Sequence, residues 1–106
     1  MKLQVAIDRV PMERAMEIVK NITSEANIIE IGTSLTKEFG MRALRPVIEA
    51  AEGVAVLGDI KTCDEGKYEF DLGYRCGFSY LTVMGSASMG TLEACARSAA
   101  EHDGLM

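Results

Sequence analysis

Apolar and polar positions along this chain follow two rhythms. Four short runs, Leu3–Ile7, Asn27–Ile31, Val54–Leu57 and Ser79–Met84, are dense in apolar residues and too short for helices. Each predicts a strand. Between them, Met12–Ile22 behind Pro11, Leu35–Ala51, Glu65–Cys76 and Met89–Ala100 carry apolar residues at the three-and-four spacing of a helix with one buried face. The predicted order is strand then helix, four times over. Strand starts fall about 25 residues apart, the length of one strand and one helix with short loops, which implies parallel strands joined by right-handed crossovers.

Glycines punctuate the same plan. Gly53, Gly77 and Gly104 each follow a predicted helix and precede an apolar residue, the place of a helix C-terminal glycine. Gly104-Leu105-Met106 therefore reads as the entry to a fifth strand. Four such units make either an open four-stranded parallel sheet or half of a (βα)8 barrel, whose eight units typically take about 250 residues. The barrel is the expectation adopted: residues 1–106 as a single α/β domain, the N-terminal half of a (βα)8 TIM barrel. Such a half is either a fragment or one of two that pair.

Composition narrows the functional classes. In 106 residues, 48% are hydrophobic and 25% charged, ordinary for a globular domain able to bury a modest core. The net charge of -5 and the absence of a basic stripe exclude a phosphate-backbone partner, so no nucleic acid is expected. No apolar run reaches membrane length and the N-terminus has no secretory pattern, so no membrane is expected either. Cys63, Cys76 and Cys95 are odd in number and lack metal or disulfide spacing, which fits reduced thiols in a cytoplasm.

Candidate chemistry concentrates after the third apolar run. Val54–Leu57, bounded by Gly53 and Gly58, reads as a buried parallel strand that runs into Asp59-Ile60-Lys61-Thr62-Cys63-Asp64. Residues just past the carboxyl ends of parallel strands build the active sites of both open and closed α/β sheets. Asp59 and Lys61 are two apart on extended chain and face one side, while Asp64 lies in the following loop or helix start. The plainer alternative makes Asp64 a helix cap and Lys61 a solvated charge paired with either acid. The pattern, however, repeats at other strand ends. Asp8 closes the first strand and Glu30 lies near the end of the second, so Asp8, Glu30, Asp59 and Asp64 are expected to converge around Lys61.

So many acids would repel one another without a cation among them. An all-oxygen donor set selects a hard ion, Mg2+ first and Mn2+ second, over zinc. Such an ion, chelated by a sugar's carbonyl and hydroxyl oxygens, suits enediolate chemistry: aldol addition, or decarboxylation beside a ketone. The flanking carboxylates favour the ammonium form of Lys61, which argues against a Schiff-base role and for an electrostatic or acid one. His102 lacks a site address and reads as a surface residue. Lys37 and Arg42 read as solvated positions on the second helix, and Gly85-Ser86 as either a ligand-lining loop or a tight turn.

Four segments in order, Met1-Lys-Leu-Gln-Val-Ala-Ile-Asp8, Ile28-Ile-Glu-Ile-Gly-Thr33, Asp59-Ile-Lys-Thr-Cys-Asp64 and Thr82-Val-Met-Gly-Ser-Ala87, closely resemble the 3-hexulose-6-phosphate synthase family. That family sits in the orotidine 5'-monophosphate decarboxylase superfamily with 3-keto-L-gulonate-6-phosphate decarboxylase. The likeness covers the whole chain and the N-terminal half of the family's barrel. It implies a cytoplasmic Mg2+-dependent lyase that adds formaldehyde to D-ribulose 5-phosphate, giving 3-hexulose 6-phosphate. Glu30 and Asp59 would ligate the metal, Asp8 and Lys61 would contact the sugar phosphate's polar groups, and Asp64 would complete the site. By the same resemblance the active unit is a homodimer in which Asp64 reaches the partner's site. The family's phosphate-gripping loops and catalytic histidine belong to the second half of the barrel and have no match here. The motif Asp-x-Lys-x-x-Asp does not separate synthase from decarboxylase, and a non-catalytic half-barrel stands as a third reading.

Overall fold

The computed structural model describes residues 1–106. Its elements are β1 (Gln4–Ile7), α1 (Met12–Ile22), β2 (Ile28–Ile31), α2 (Thr33–Phe39), α3 (Arg45–Glu49), β3 (Ala55–Thr62), α4 (Gly66–Cys76), β4 (Tyr80–Val83) and α5 (Met89–Glu101). The four strands form one sheet in chain order, every neighbouring pair parallel.

Alternation along the strands separates two faces. Ile7, Ile29, Ile31, Val56, Ile60 and Leu81 are buried and join one core with Ala15, Val19, Leu35, Val47, Phe70 and Cys95 from the helices. The helices therefore cover a single face. Gln4, Ala6, Glu30, Leu57, Asp59 and Tyr80 alternate with the core positions on the opposite face and are half-buried or exposed. A doubly wound sheet carries helices on both faces, so the one-sided cover is that of a barrel segment, whose second face turns inward on closure. Phe70, fully buried, anchors α4 and contributes about 1.5–3 kcal/mol.

Two boundaries differ from the sequence reading. The expected helix Leu35–Ala51 is two short helices, because Gly40 ends α2 at a positive φ (81°) that favours glycine and Pro46 opens α3. Arg42 consequently lies in the connecting turn, outside any helix. The third strand, expected to stop at Leu57 beside a bounding Gly58, runs on to Thr62. Gly58 lies inside it and packs so closely on Phe78 that a Cβ would sit 3.0 Å from the ring. The helix α1 and the four-strand order match the reading, and Leu105 forms an isolated parallel bridge with Tyr80 where a fifth strand was expected to begin.

Candidate active site

The lengthened β3 carries the charged pair inside the strand. Against β4, Gly58 pairs with Leu81 and Thr62 with Val83, so four steps on β3 match two on β4 and the strand bulges between them. Lys61 takes a left-handed conformation there (φ 51°), a cost on the order of 1–3 kcal/mol that persists only where neighbours fix it. Its backbone N–H donates to Thr82 Oγ1 at 2.9 Å, and its ammonium is ion-paired with Asp59 Oδ2 and donates to Thr33 Oγ1 at 2.7 Å.

Asp59 is held from three sides. Thr33 Oγ1 donates to Oδ2 at 2.8 Å, Thr82 Oγ1 donates to Oδ1 at 2.8 Å, and Lys61 adds its charge. Burial alone would raise this carboxyl, but the hydrogen bonds from Lys61, Thr82 and Thr33 outweigh it and hold Asp59 below the ordinary carboxylate range. The group is a fixed anion.

Asp8 repeats the device at the end of β1. Its carboxylate accepts from the Ser34 hydroxyl and from the backbone N–H groups of Ser34 and Arg9, both at 3.2 Å. The Ser34 hydroxyl bond is the main reason the carboxyl lies below its usual value. Arg9 is left-handed (φ 51°), and its N–H also donates to Ser34 Oγ at 2.8 Å. Gly32 leaves the room this requires, since a Cβ there would lie 2.5 Å from Asp8 Cγ.

The expected convergence of four acids on Lys61 is not formed. No three acidic, histidine or cysteine side chains gather into a group that could hold a metal ion. Only Asp59 pairs with Lys61. Glu30 is engaged by Gln4 Nε2 at 2.6 Å, and Asp64 is exposed with Oδ1 accepting the Glu65 N–H at 2.9 Å. The physical reason is register: Glu30 stands opposite Leu57, two residues before Asp59, and Asp64 falls beyond the strand. Glu30 and Asp59 nevertheless occupy adjacent strands on one face, and each keeps a carboxylate oxygen or lone pair free. One or two carboxylates with waters and substrate oxygens is the donor set Mg2+ takes, so the pair fits that ion.

The helix-cap alternative for Asp64 also fails, because α4 has no side-chain cap. Cys63 is exposed and Cys76 and Cys95 are buried, and none is paired in a disulfide. His102 is exposed, as the sequence reading expected. Its Nε2 lies 3.2 Å from Asp71 Oδ1 and its ring sits tilted against Tyr74, at the helix-covered side of the sheet. Thr33, Ser34 and Thr82 were not singled out from the sequence. Their only signal was a hydroxyl residue at or just beyond a strand's C-terminal end, the commonest of patterns.

Comparison with known proteins places this arrangement. Over 103 residues the chain is 36% identical to a 3-hexulose-6-phosphate synthase of Mycobacterium gastri, covering 97% of this chain and 50% of that protein. A crystal structure of 3-hexulose-6-phosphate synthase superposes with a TM-score of 0.94 at 36% identity, over 99% of this chain and 51% of the other. A 3-keto-L-gulonate-6-phosphate decarboxylase from Vibrio cholerae O1 biovar El Tor str. N16961 superposes at 0.93 with 28% identity, over 98% and 49%. The chain spans about half the length of the curated relatives it matches. Its four parallel strand-helix units correspond to half a TIM barrel, not to an open sheet. With a family model matching residues 1–106 throughout, the chain belongs to the orotidine 5'-phosphate decarboxylase / HUMPS family.

Proposed function

We propose that this chain supplies the N-terminal half of a magnesium-dependent aldolase that condenses formaldehyde with D-ribulose 5-phosphate to give 3-hexulose 6-phosphate. The observation that carries the reading is the Asp59–Lys61 ion pair held between Thr33 and Thr82 at the C-terminal end of β3. A chain 36% identical to a named synthase supports the same assignment.

The residues divide the work by charge. Lys61 offers an ammonium to the sugar oxygen that becomes negative as a carbon-bound proton is removed to form the enediolate, and Asp59 fixes its direction. Glu30 and Asp59 would hold Mg2+, which when bound supplies further positive charge at the same oxygens. Asp8, exposed at the end of β1, accepts from a sugar hydroxyl. Asp64, free of the Asp59–Lys61 pair, reaches the site of a second subunit in a homodimer. The phosphate grip and the proton-transferring histidine come from the other half of the barrel; His102, on the helix side with Asp71, does not serve.

A second reading, 3-keto-L-gulonate-6-phosphate decarboxylase, is favoured by the Vibrio cholerae likeness and needs the same residues. One experiment separates them. The chain is joined after Met106 to the second half of the Mycobacterium gastri synthase, and the purified chimera is given each substrate. Formaldehyde-dependent loss of ribulose 5-phosphate supports the aldolase, and CO2 release from 3-keto-L-gulonate 6-phosphate replaces it with the decarboxylase. Neither activity in a folded chimera leaves the non-catalytic half-barrel.

A further inference from the structure

Asp8 and Asp59 share an arrangement that strand geometry alone does not supply. Each is followed, one or two residues on, by a left-handed non-glycine residue, Arg9 and Lys61, both with φ 51°. Each of those residues donates its backbone N–H to a hydroxyl from the next strand unit, Arg9 to Ser34 Oγ at 2.8 Å and Lys61 to Thr82 Oγ1 at 2.9 Å. Each hydroxyl donates its own proton back to the aspartate, Ser34 to Asp8 Oδ1 and Thr82 to Asp59 Oδ1. The hydroxyl therefore closes a ring through the aspartate and the residue behind it. It satisfies the backbone amide of the left-handed residue, which no strand partner meets, and it fixes one carboxylate oxygen.

We propose that Thr82 and Ser34 are positioning residues, setting the direction of Asp59 with Lys61 and of Asp8 respectively. The proposal rests on the reading that these acids serve the reaction, and it assigns the two hydroxyls a role through them and no contact with substrate. Thr82→Val would keep the branched outline of the side chain while deleting both hydrogen bonds. Lys61 would then lose the partner that holds its backbone in the left-handed turn, and the ammonium would lose its fixed place beside Asp59.

Amide exchange by NMR on the substrate-free chimera tests this, so it stands or falls apart from the catalytic reading. In Thr82→Val the Lys61 amide is expected to exchange at least tenfold faster while the Arg9 amide is unchanged. Ser34→Ala is expected to do the reverse, and Thr82→Ser and Ser34→Thr to keep both amides protected. Acceleration of both amides together, global unfolding of either variant, or no change in either would overturn the local positioning role. In the chimera described above, Thr82→Val is expected to lower kcat at least tenfold with KM within twofold, and Thr82→Ser to restore it. An unchanged kcat beside a freed Lys61 amide would also overturn the proposal, by severing the geometry from the chemistry.

Discussion

Gly32 and Asp8 compete for one volume: a Cβ on Gly32 would lie 2.5 Å from Asp8 Cγ and 2.7 Å from its Oδ1. Glycine just past β2 is required by the neighbouring strand, by its acid and by the Ile7 carbonyl oxygen 2.9 Å from such a Cβ, and not by its own backbone, since its φ of -67° suits any residue. Gly32→Ala is therefore expected to expel the Asp8 carboxylate from its bonds with Ser34. The overpacking should cost about 1–3 kcal/mol, read as a lower urea midpoint. Retention of the wild-type midpoint would show that the acid and the β1 backbone both yield at little cost.

Metal binding is expected to depend on Glu30 and Asp59 together. In the chimera, Glu30→Gln and Asp59→Asn should each weaken Mg2+ by on the order of tenfold or more, measured by calorimetric titration. Equal affinity in both variants would remove these two residues from the metal site.

Lys61 should form no imine. Its nitrogen is committed as a donor to Asp59 and Thr33, and an imine-forming lysine needs a free amine. Borohydride added during turnover with ribulose 5-phosphate should leave residue 61 unmodified by mass spectrometry. A reduced adduct there would replace the electrostatic role with a covalent one.

Acid should weaken the contact between α4 and α5 through Asp71. A hydrogen bond from Ser98 Oγ at 2.6 Å, joined by Lys67 and His102, holds its carboxyl below the ordinary carboxylate range. A carboxyl lowered on folding stabilises the fold above its unfolded value and loses that contribution as pH falls through the folded one. Urea midpoints should therefore drop below about pH 4 in the native chain and drop less in Asp71→Asn. Parallel curves for the two proteins would assign the acid sensitivity to other groups.

What the sequence made legible follows from what burial writes into it. Ile29, Ile31, Val19 and Phe70 face a core, and their spacing announced β2, α1 and α4 directly. The polar stretch after Leu57 concealed a strand because one face of β3 is not core: Gly58, Ile60 and Thr62 alternate inward while Asp59 and Lys61 face away. Read for alternation instead of apolar density, residues 55–62 would have been one strand. The convergence of acids failed for a subtler reason, since being near a strand end does not say at which level of the sheet a side chain stands. Glu30 and Asp59 are separated by a register step that only the pairing of β2 with β3 reveals. Thr82 and Thr33 were invisible because their importance lies in what they touch across 23 and 26 residues of chain.

The bridge between Leu105 and Tyr80 carries a consequence for engineering. Leu105 donates its N–H to Ser79 O at 3.0 Å and accepts from Leu81 N–H at 3.1 Å, while Tyr74 Oη donates to Leu105 O at 2.8 Å. Burial pushes the Tyr74 phenol up to about 12, so that donor persists through neutral and mildly alkaline solution. Gly104 passes so close to the Tyr74 ring that a Cβ would lie 2.2 Å from it. A polypeptide spliced on after Met106 would thus leave the sheet already aimed, parallel to β4 and in its register, before making a single contact of its own.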